Sequence, residues 1–206
     1  MQQGNSVVLR HQDLELSAIR LRDRKNYLKI RELNRDWFLP WDATLPKSRF
    51  TDEVLPKSVF DPASNEAFFS LYFSARKANK SGSGLTLAMR TKGNQIGLIT
   101  AANMVHGAAR SCQIGYWIDQ RFAGRGYTPR AVALLIDYLL LDRDFHRVEI
   151  AIRPENQASL RVVQKLELRS EGRRPRYLHI AGDWQDHEIF AIDSTEIGIG
   201  LISRWG

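Results

Sequence analysis

Apolar and polar positions divide the chain into short alternating runs and longer helical stripes. Residues 14–22, LELSAIRLR, read as a first strand. Residues 23–41 read as a helix capped by Asp23 and ended by Pro40. Residues 42–62 hold three prolines and mixed polarity, which predicts a long loop or a broken helix. A second helix is predicted over 64–80, where Phe68, Leu71, Tyr72 and Ala75 fall at i, i+3, i+4, i+7 spacing, and SGSG at 81–84 breaks it.

Three strand-like runs follow, LTLAMRT, QIGLITAANMV and CQIGYWI, joined by KGN and HGAARS. A helix is predicted over 128–142, a strand over 146–152 and a helix over 156–166. Two last strands, RYLHI and WQDHEIFAI, meet at AGD as a hairpin, and the tail from Ser194 is expected to be loosely tied. The order β-α-α-β-β-β-α-β-α-β-β predicts one mixed α/β domain over residues 8–193 with a C-terminal tail, 194–206. No repeat, low-complexity tract or linker interrupts it.

Charge adds a direction. The chain has 30 Lys+Arg against 23 Asp+Glu, a net charge of +7. That favours an anionic partner such as a phosphate-bearing ligand, RNA or an acidic surface, with solubility alone as the plainer reading. The single cysteine, Cys112, excludes an internal disulfide framework and a cysteine-rich metal site. Its apolar surroundings, SCQIGYWI, make it a buried strand residue rather than a nucleophile. No stretch approaches the roughly 18 apolar residues that span a bilayer, and the first residues lack the apolar core of a signal peptide. A cytoplasmic protein is expected, without membrane or DNA as a partner, as a monomer or homodimer.

The segment IDQRFAGRGYTPRAVALLIDYLLL carries the candidate chemistry. Thr128 is placed as N-cap of the 128–142 helix, with Pro129 in its first turn. Ala131, Leu134, Leu135 and Tyr138 form one apolar stripe, widened by Val132, Ile136 and Leu140; Arg130, Asp137 and Asp144 mark a wet side. The helix N-terminus then meets the Gly124–Gly126 turn. Free backbone N–H groups beside two side-chain-less residues make an anion site, to which Arg121 and Arg125 add charge. The spacing alone also fits a plain strand-to-helix turn. A P-loop is excluded because no Lys-Ser/Thr follows, and a dinucleotide fold is disfavoured by the missing third glycine.

Residues 121–126, RFAGRG, resemble the R/Q-x-x-G-x-G/A acetyl-CoA signature of the GNAT N-acetyltransferase superfamily. The likeness continues through CQIGYWID, HRVEIAIRPENQASLRVVQKL and RYLHIAGDWQDHEIFAI, and LNRDWFLPW near the front shares it. Together these segments resemble the RimJ/RimL branch, the ribosomal-protein-alanine N-acetyltransferases, in its actinobacterial form, over most of residues 8–193. The resemblance implies a GNAT fold: a mixed central sheet flanked by helices, whose fourth and fifth strands splay apart to admit the acetyl-pantetheine arm. Those strands would be residues 113–119 and 147–153. It also implies acetyl-CoA held along the strand edge at Trp117 and Ile118 and by Arg121, Phe122, Ala123, Gly124, Arg125, Gly126, Tyr127 and Thr128, with Asn156 and Ser159 alongside.

Acetyl transfer requires a neutral amine, a donor for the oxyanion and a proton for the thiolate. The resemblance implies that Ser159 supplies the acid, because the helix position where the wider superfamily often has a tyrosine is Val163. Asn156 joins it as a candidate, with helix capping as the plainer role of both. A base is less evident: the strand position that carries a glutamate in some RimL-like relatives is Leu178. Glu149 is the remaining candidate, against a structural ion pair. Trp37, Trp41 and Tyr177 are candidates for the acceptor groove, which the resemblance builds from residues 42–66 and the final hairpin. Asp186 and His187 are adjacent on a strand, face opposite ways and form no metal site. Three readings stay open: acetylation of a protein N-terminus with possible ribosome association, acetylation of a small amine, and a non-catalytic CoA-binding module.

Overall fold

The computed structural model describes residues 7–46 and 61–205. Eight strands form one sheet: β1 (Val8–His11), β2 (Leu14–Ala18), β3 (Leu85–Thr91), β4 (Asn94–Val105), β5 (Ser111–Ile118), β6 (Arg147–Ile152), β7 (Arg169–Ile180) and β8 (Asp183–Asp193). Their spatial order is β1-β2-β3-β4-β5-β6-β8-β7. Among the described residues five helices flank it: α1 (Arg24–Leu33), α2 (Arg35–Phe38), α3 (Asn65–Ser81), α4 (Tyr127–Asp137) and α5 (Gln157–Lys165).

Every neighbouring pair is antiparallel except β5 with β6. That parallel pair matches only Ser111 with Arg147, Cys112 with Val148 and Gln113 with Glu149. Beyond Gln113 the two strands part, so the sheet holds an open wedge at its centre.

Alternation along the strands decides which helices cover which face. Cys112, Ile114 and Ile118 of β5 join Val148, Ile150 and Ile152 of β6 in the large core beneath α4 and α5. Residues of the opposite parity, Ala88 and Leu98, meet Tyr27 of α1 and Phe68 and Tyr72 of α3 on the other face. Burial pushes the Cys112 thiol up to about 12, so it stays protonated and inert.

Several elements differ from the sequence reading, each for a local reason. The 14–22 strand stops at Ala18, because the Asp23 carboxylate accepts the Arg20 N–H at 2.7 Å and forms a turn. Asp23 precedes α1 but makes no cap bond to it; the carboxylate instead pairs with Arg90 of β3 at 2.6 Å, with both side chains buried. Removing one partner of such a pair costs about 3–5 kcal/mol. The helix predicted over 23–41 breaks at Asn34 into α1 and α2. Of residues 42–62, 47–60 lie outside the described residues. Ala43 bridges to Ile180, and the Thr44 N–H donates to the His179 carbonyl at 2.9 Å.

The helix predicted over 128–142 starts at Tyr127, its N-cap is Gly126 rather than Thr128, and it ends in a π-turn over Tyr138–Asp142. Arg130 and Asp137 are buried and do not mark a wet side. Arg130 donates to Gln12 Oε1 at 2.9 Å and to Asp13 Oδ1 at 3.2 Å. Asp137 receives the backbone of the tail, whose Ile197 and Leu201 are buried in the large core. The tail is therefore packed, not loosely tied. Among the described residues no helix is long and apolar enough to cross a membrane.

Candidate active site

The wedge opens into a cavity of about 680 Å³. Tyr116 and Trp117, adjacent on β5, both line it. Neighbouring strand residues point to opposite faces, so the cavity passes through the sheet where β5 and β6 part. On the α1/α2 side its wall is Trp37, Phe38, Trp41, Asp42 and Ala43; on the α4/α5 side it includes Gly124, Gly126, Asn156, Ser159 and Arg161.

The α4/α5 mouth suits an anion. Gly126 caps α4 at φ 81°, and Gly124 sits at φ 75°. Both are conformations that side-chain-bearing residues rarely adopt. A Cβ at either would meet nothing within 4 Å, so the space above the turn is open. The first helical bond runs from Arg130 N–H to the Gly126 carbonyl. The Tyr127 and Thr128 N–H groups ahead of it have no acceptor within the helix, and the first turn holds no acidic residue to compete for them. Arg161 and Lys165 of α5 add positive charge to the same wall. These residues fit an extended ligand with a pyrophosphate.

The residues marked from sequence divide here. Trp117, Ile118, Ala123, Gly124, Gly126, Thr128, Asn156 and Ser159 line the cavity, as do Trp37 and Trp41. The side chains of Arg121, Phe122, Arg125 and Tyr127 do not. Arg121 is held by the buried Asp119 carboxylate, Arg125 lies over Phe122 with 5.6 Å to the ring centroid, and the Tyr127 hydroxyl donates to Asp13 at 2.6 Å. From this stretch the cavity is lined by Ala123, the two glycines, Thr128 and Pro129.

Asn156 caps α5, its Oδ1 accepting the Ser159 N–H at 3.1 Å. That bond leaves the Ser159 hydroxyl unused by the cap. Val163 is buried in the core and offers no polar group. Glu149 is not in the cavity wall: its carboxylate accepts from Arg147 at 2.9 Å and from Arg174 at 3.2 Å. The structure thus places Glu149 in an ion-paired cluster at the closed end of the wedge and does not bring it to the cavity with Asn156 and Ser159. Tyr177 also lies outside the wall, its hydroxyl accepting from Gln113 at 2.9 Å and from Arg174 at 3.1 Å. It braces the wedge's closed end.

Sequence reasoning missed Tyr116, Asp42, Arg161 and Lys165. The last two belong to a stripe with Ala158 and Val162 at i, i+3, i+4, i+7, which was legible once α5 was placed. Asp42 pairs with the buried Arg31, whose guanidinium lies 4.3 Å from the Phe38 ring centroid. That cluster fixes the turn carrying Trp37 and Trp41. Trp37 Nε1 also donates to the Ile118 carbonyl at 3.2 Å, and Arg153 lies over the Trp41 ring at 5.5 Å.

Known proteins share this fold. The RimJ of Mycobacterium smegmatis, solved in complex with a CoA-disulfide, superposes with a TM-score of 0.84 at 28% identity, covering 97% of this chain and 91% of that one. A ribosomal-protein-S5-alanine acetyltransferase from Vibrio fischeri superposes with a TM-score of 0.76 at 23% identity, covering 91% and 97%, and shows the same fold. In sequence, the [ribosomal protein uS5]-alanine N-acetyltransferase of Escherichia coli (strain K12) is 31% identical over 101 residues, 49% of this chain and 52% of that protein. The chain thus spans about half the length of the curated relatives it matches. The acetyltransferase (GNAT) domain model matches residues 13–169, from the turn before β2 to the start of β7, and the chain belongs to that family.

Proposed function

We propose that the protein transfers an acetyl group from acetyl-CoA to an amine, and that the amine is the N-terminus of a protein, a ribosomal-protein alanine being the favoured case. The observation that carries this reading is the cavity through the sheet. A ligand with a pyrophosphate enters from the α4 side, an acceptor enters from the Trp37–Trp41 side, and the two meet between β5 and β6. The N–H groups of Tyr127 and Thr128 would hold the pyrophosphate, and Arg161 and Lys165 would add charge to that end. Acetyl-CoA supplies an activated acyl group; the chain's own work is to align it with the amine and exclude water.

The α-amine follows from the carboxylates. In the cavity wall Asp42 is tied to Arg31 and Glu155 to Arg153, and outside it Glu149 is tied to two arginines. An acceptor that needs little help to become neutral suits such a site. A peptide α-amine has a reference pKa of about 8, against about 10.4 for lysine. The Escherichia coli relative's name and the basic charge of the chain support a ribosomal acceptor. A cytoplasmic location accompanies that acceptor.

Mass spectrometry tests the reading after incubation of the full chain with acetyl-CoA and a panel of peptides and small amines. Acetylation of peptide N-termini beginning with Ala or Ser is expected. Acetyl groups only on lysine side chains or only on small amines would replace the acceptor. Binding of CoA without turnover of any amine would favour a CoA-binding module.

A further inference from the structure

We propose that the Tyr116 hydroxyl is a catalytic hydrogen-bond donor to the thioester sulfur, stabilising the negative charge that develops there as the acyl group leaves. The inference rests on the acetyl-CoA reading above and adds a residue that reading does not use.

Tyr116 sits three residues beyond Gln113, the last position at which β5 pairs with β6, and so lies within the wedge. On its other side its backbone pairs with Ile99 of β4, which fixes the strand that carries it. It shares a strand face with Ile114 and Ile118, toward α4 and α5, and it lines the cavity with Ser159. Its oxygen is buried, yet among the described residues no group meets it in hydrogen-bonding geometry. The Ser159 hydroxyl is the one side chain that opposes the effect of burial on the phenol, and it does so without a bond of good geometry.

A buried hydroxyl without a partner is costly. Phenylalanine would fill the same space without that cost. A phenol kept in this position is therefore better explained by a partner that arrives with a ligand, and the cavity is where that partner enters. The wall nearby is apolar, with Ile118, Ala123, Ala158 and Val162, so one donor counts for more than it would in water.

Burial drives the phenol's pKa far above its ordinary value. Tyr116 consequently keeps its proton through the reaction and acts by donating a hydrogen bond. In the balanced transfer the amine nitrogen bonds to the acyl carbon, the carbon–sulfur bond breaks with its electron pair on sulfur, and the amine's surplus proton leaves to solvent. Proton delivery to the sulfur remains with Ser159 or water.

The test compares the full-length wild type with Tyr116→Phe, using CoA itself as probe. Ultraviolet absorbance follows the titration of the bound thiol. Removing a hydrogen bond to a charged group should make that thiol titrate about one to two pH units higher in the variant. CoA affinity should stay close to wild type, the thermal midpoint should hold or rise, and kcat with a productive amine should fall about tenfold to a hundredfold. A purely structural tyrosine would instead lower the midpoint and leave the thiol alone. Identical thiol titrations in two CoA-bound proteins would overturn this role while leaving the acetyl-CoA reading intact. Failure of the wild type to bind CoA would overturn both.

Discussion

The carboxylate of Asp137 accepts the backbone N–H of Leu201 at 2.7 Å, and its other oxygen accepts that of Ile202 at 2.9 Å. Asp137 is the last residue of α4, where a negative charge opposes the helix dipole. The tail's N–H groups offset that disadvantage. Gly200 makes the approach possible: its φ is 105°, and a Cβ there would lie 2.9 Å from the Asp137 carboxylate.

Asp137→Ala should therefore destabilise the fold, because it leaves two N–H groups at the edge of the core unpaired. A loss of about 2–4 kcal/mol is expected, with Gly200→Ala changing stability in the same direction. Chemical denaturation measures both. Wild-type midpoints would mean that Ile197 and Leu201 hold the tail by burial alone.

At the glycine turn, two substitutions separate backbone strain from loss of the ligand's space. Gly126 occupies a left-handed conformation that asparagine tolerates and valine does not. Gly126→Asn should fold and yet bind acetyl-CoA at least tenfold more weakly, since its side chain enters the open cradle. Gly126→Val should lose stability as well. Calorimetry with acetyl-CoA and a thermal melt read the two effects, and wild-type affinity in Gly126→Asn would remove the turn from the binding site.

Ser159→Ala keeps the N–H that Asn156 caps and removes only the hydroxyl. If that hydroxyl delivers a proton to sulfur, kcat falls about tenfold or more while acetyl-CoA affinity holds. Unchanged turnover would leave Ser159 as a helix-start residue. Steady-state kinetics beside CoA calorimetry distinguish the outcomes.

His187 predicts a pH effect. Burial lowers its pKa from the ordinary 6.5, against the opposing effect of its bond to Gln185, whose carbonyl accepts from Nδ1 at 3.0 Å. Arg153 opposes its protonation, while Asp186 and Glu155 favour it less strongly. A depressed folded pKa contributes stability above the unfolded value, and that stability is lost as pH falls through the folded value. Stability should thus decline from pH 6.5 downward, ahead of the carboxylates. His187→Asn should flatten the slope below pH 6.5. Parallel slopes in urea-denaturation series would sink this account.

Most of the architecture was legible because local patterns and tertiary packing agree. β3, β4 and β5 are rich in apolar residues and bounded by turn residues, and α3 has one clear stripe. The glycine turn was legible because its chemistry is backbone chemistry, which glycine spacing reports directly. What stayed hidden depends on partners distant in sequence. Arg130 and Asp137 read as solvent-facing because Asp13 and Leu201, which bury them, lie 117 and 64 residues away. For Glu149 an ion pair stood beside the catalytic reading, and of its two partners only Arg147 is near in sequence; Arg174 reaches it across 25 residues. Tyr116 was one apolar-looking residue in GYWI, and only the parting of β5 from β6 reveals a polar atom facing a cavity.

The three-position seam between β5 and β6 also orders assembly in time. Strands β1 to β5 are each paired with the next in chain order. Their contacts can form as the N-terminal half emerges, since neighbouring strands close modest loops. The wedge exists only after β6 has docked on that seam, and β6 is backed by β8, one of the last strands synthesised. The cleft is consequently a late product of folding. A nascent chain has no place for such a ligand until β8 has been made, and a ligand that spans the finished wedge favours the joined halves over any partly folded form.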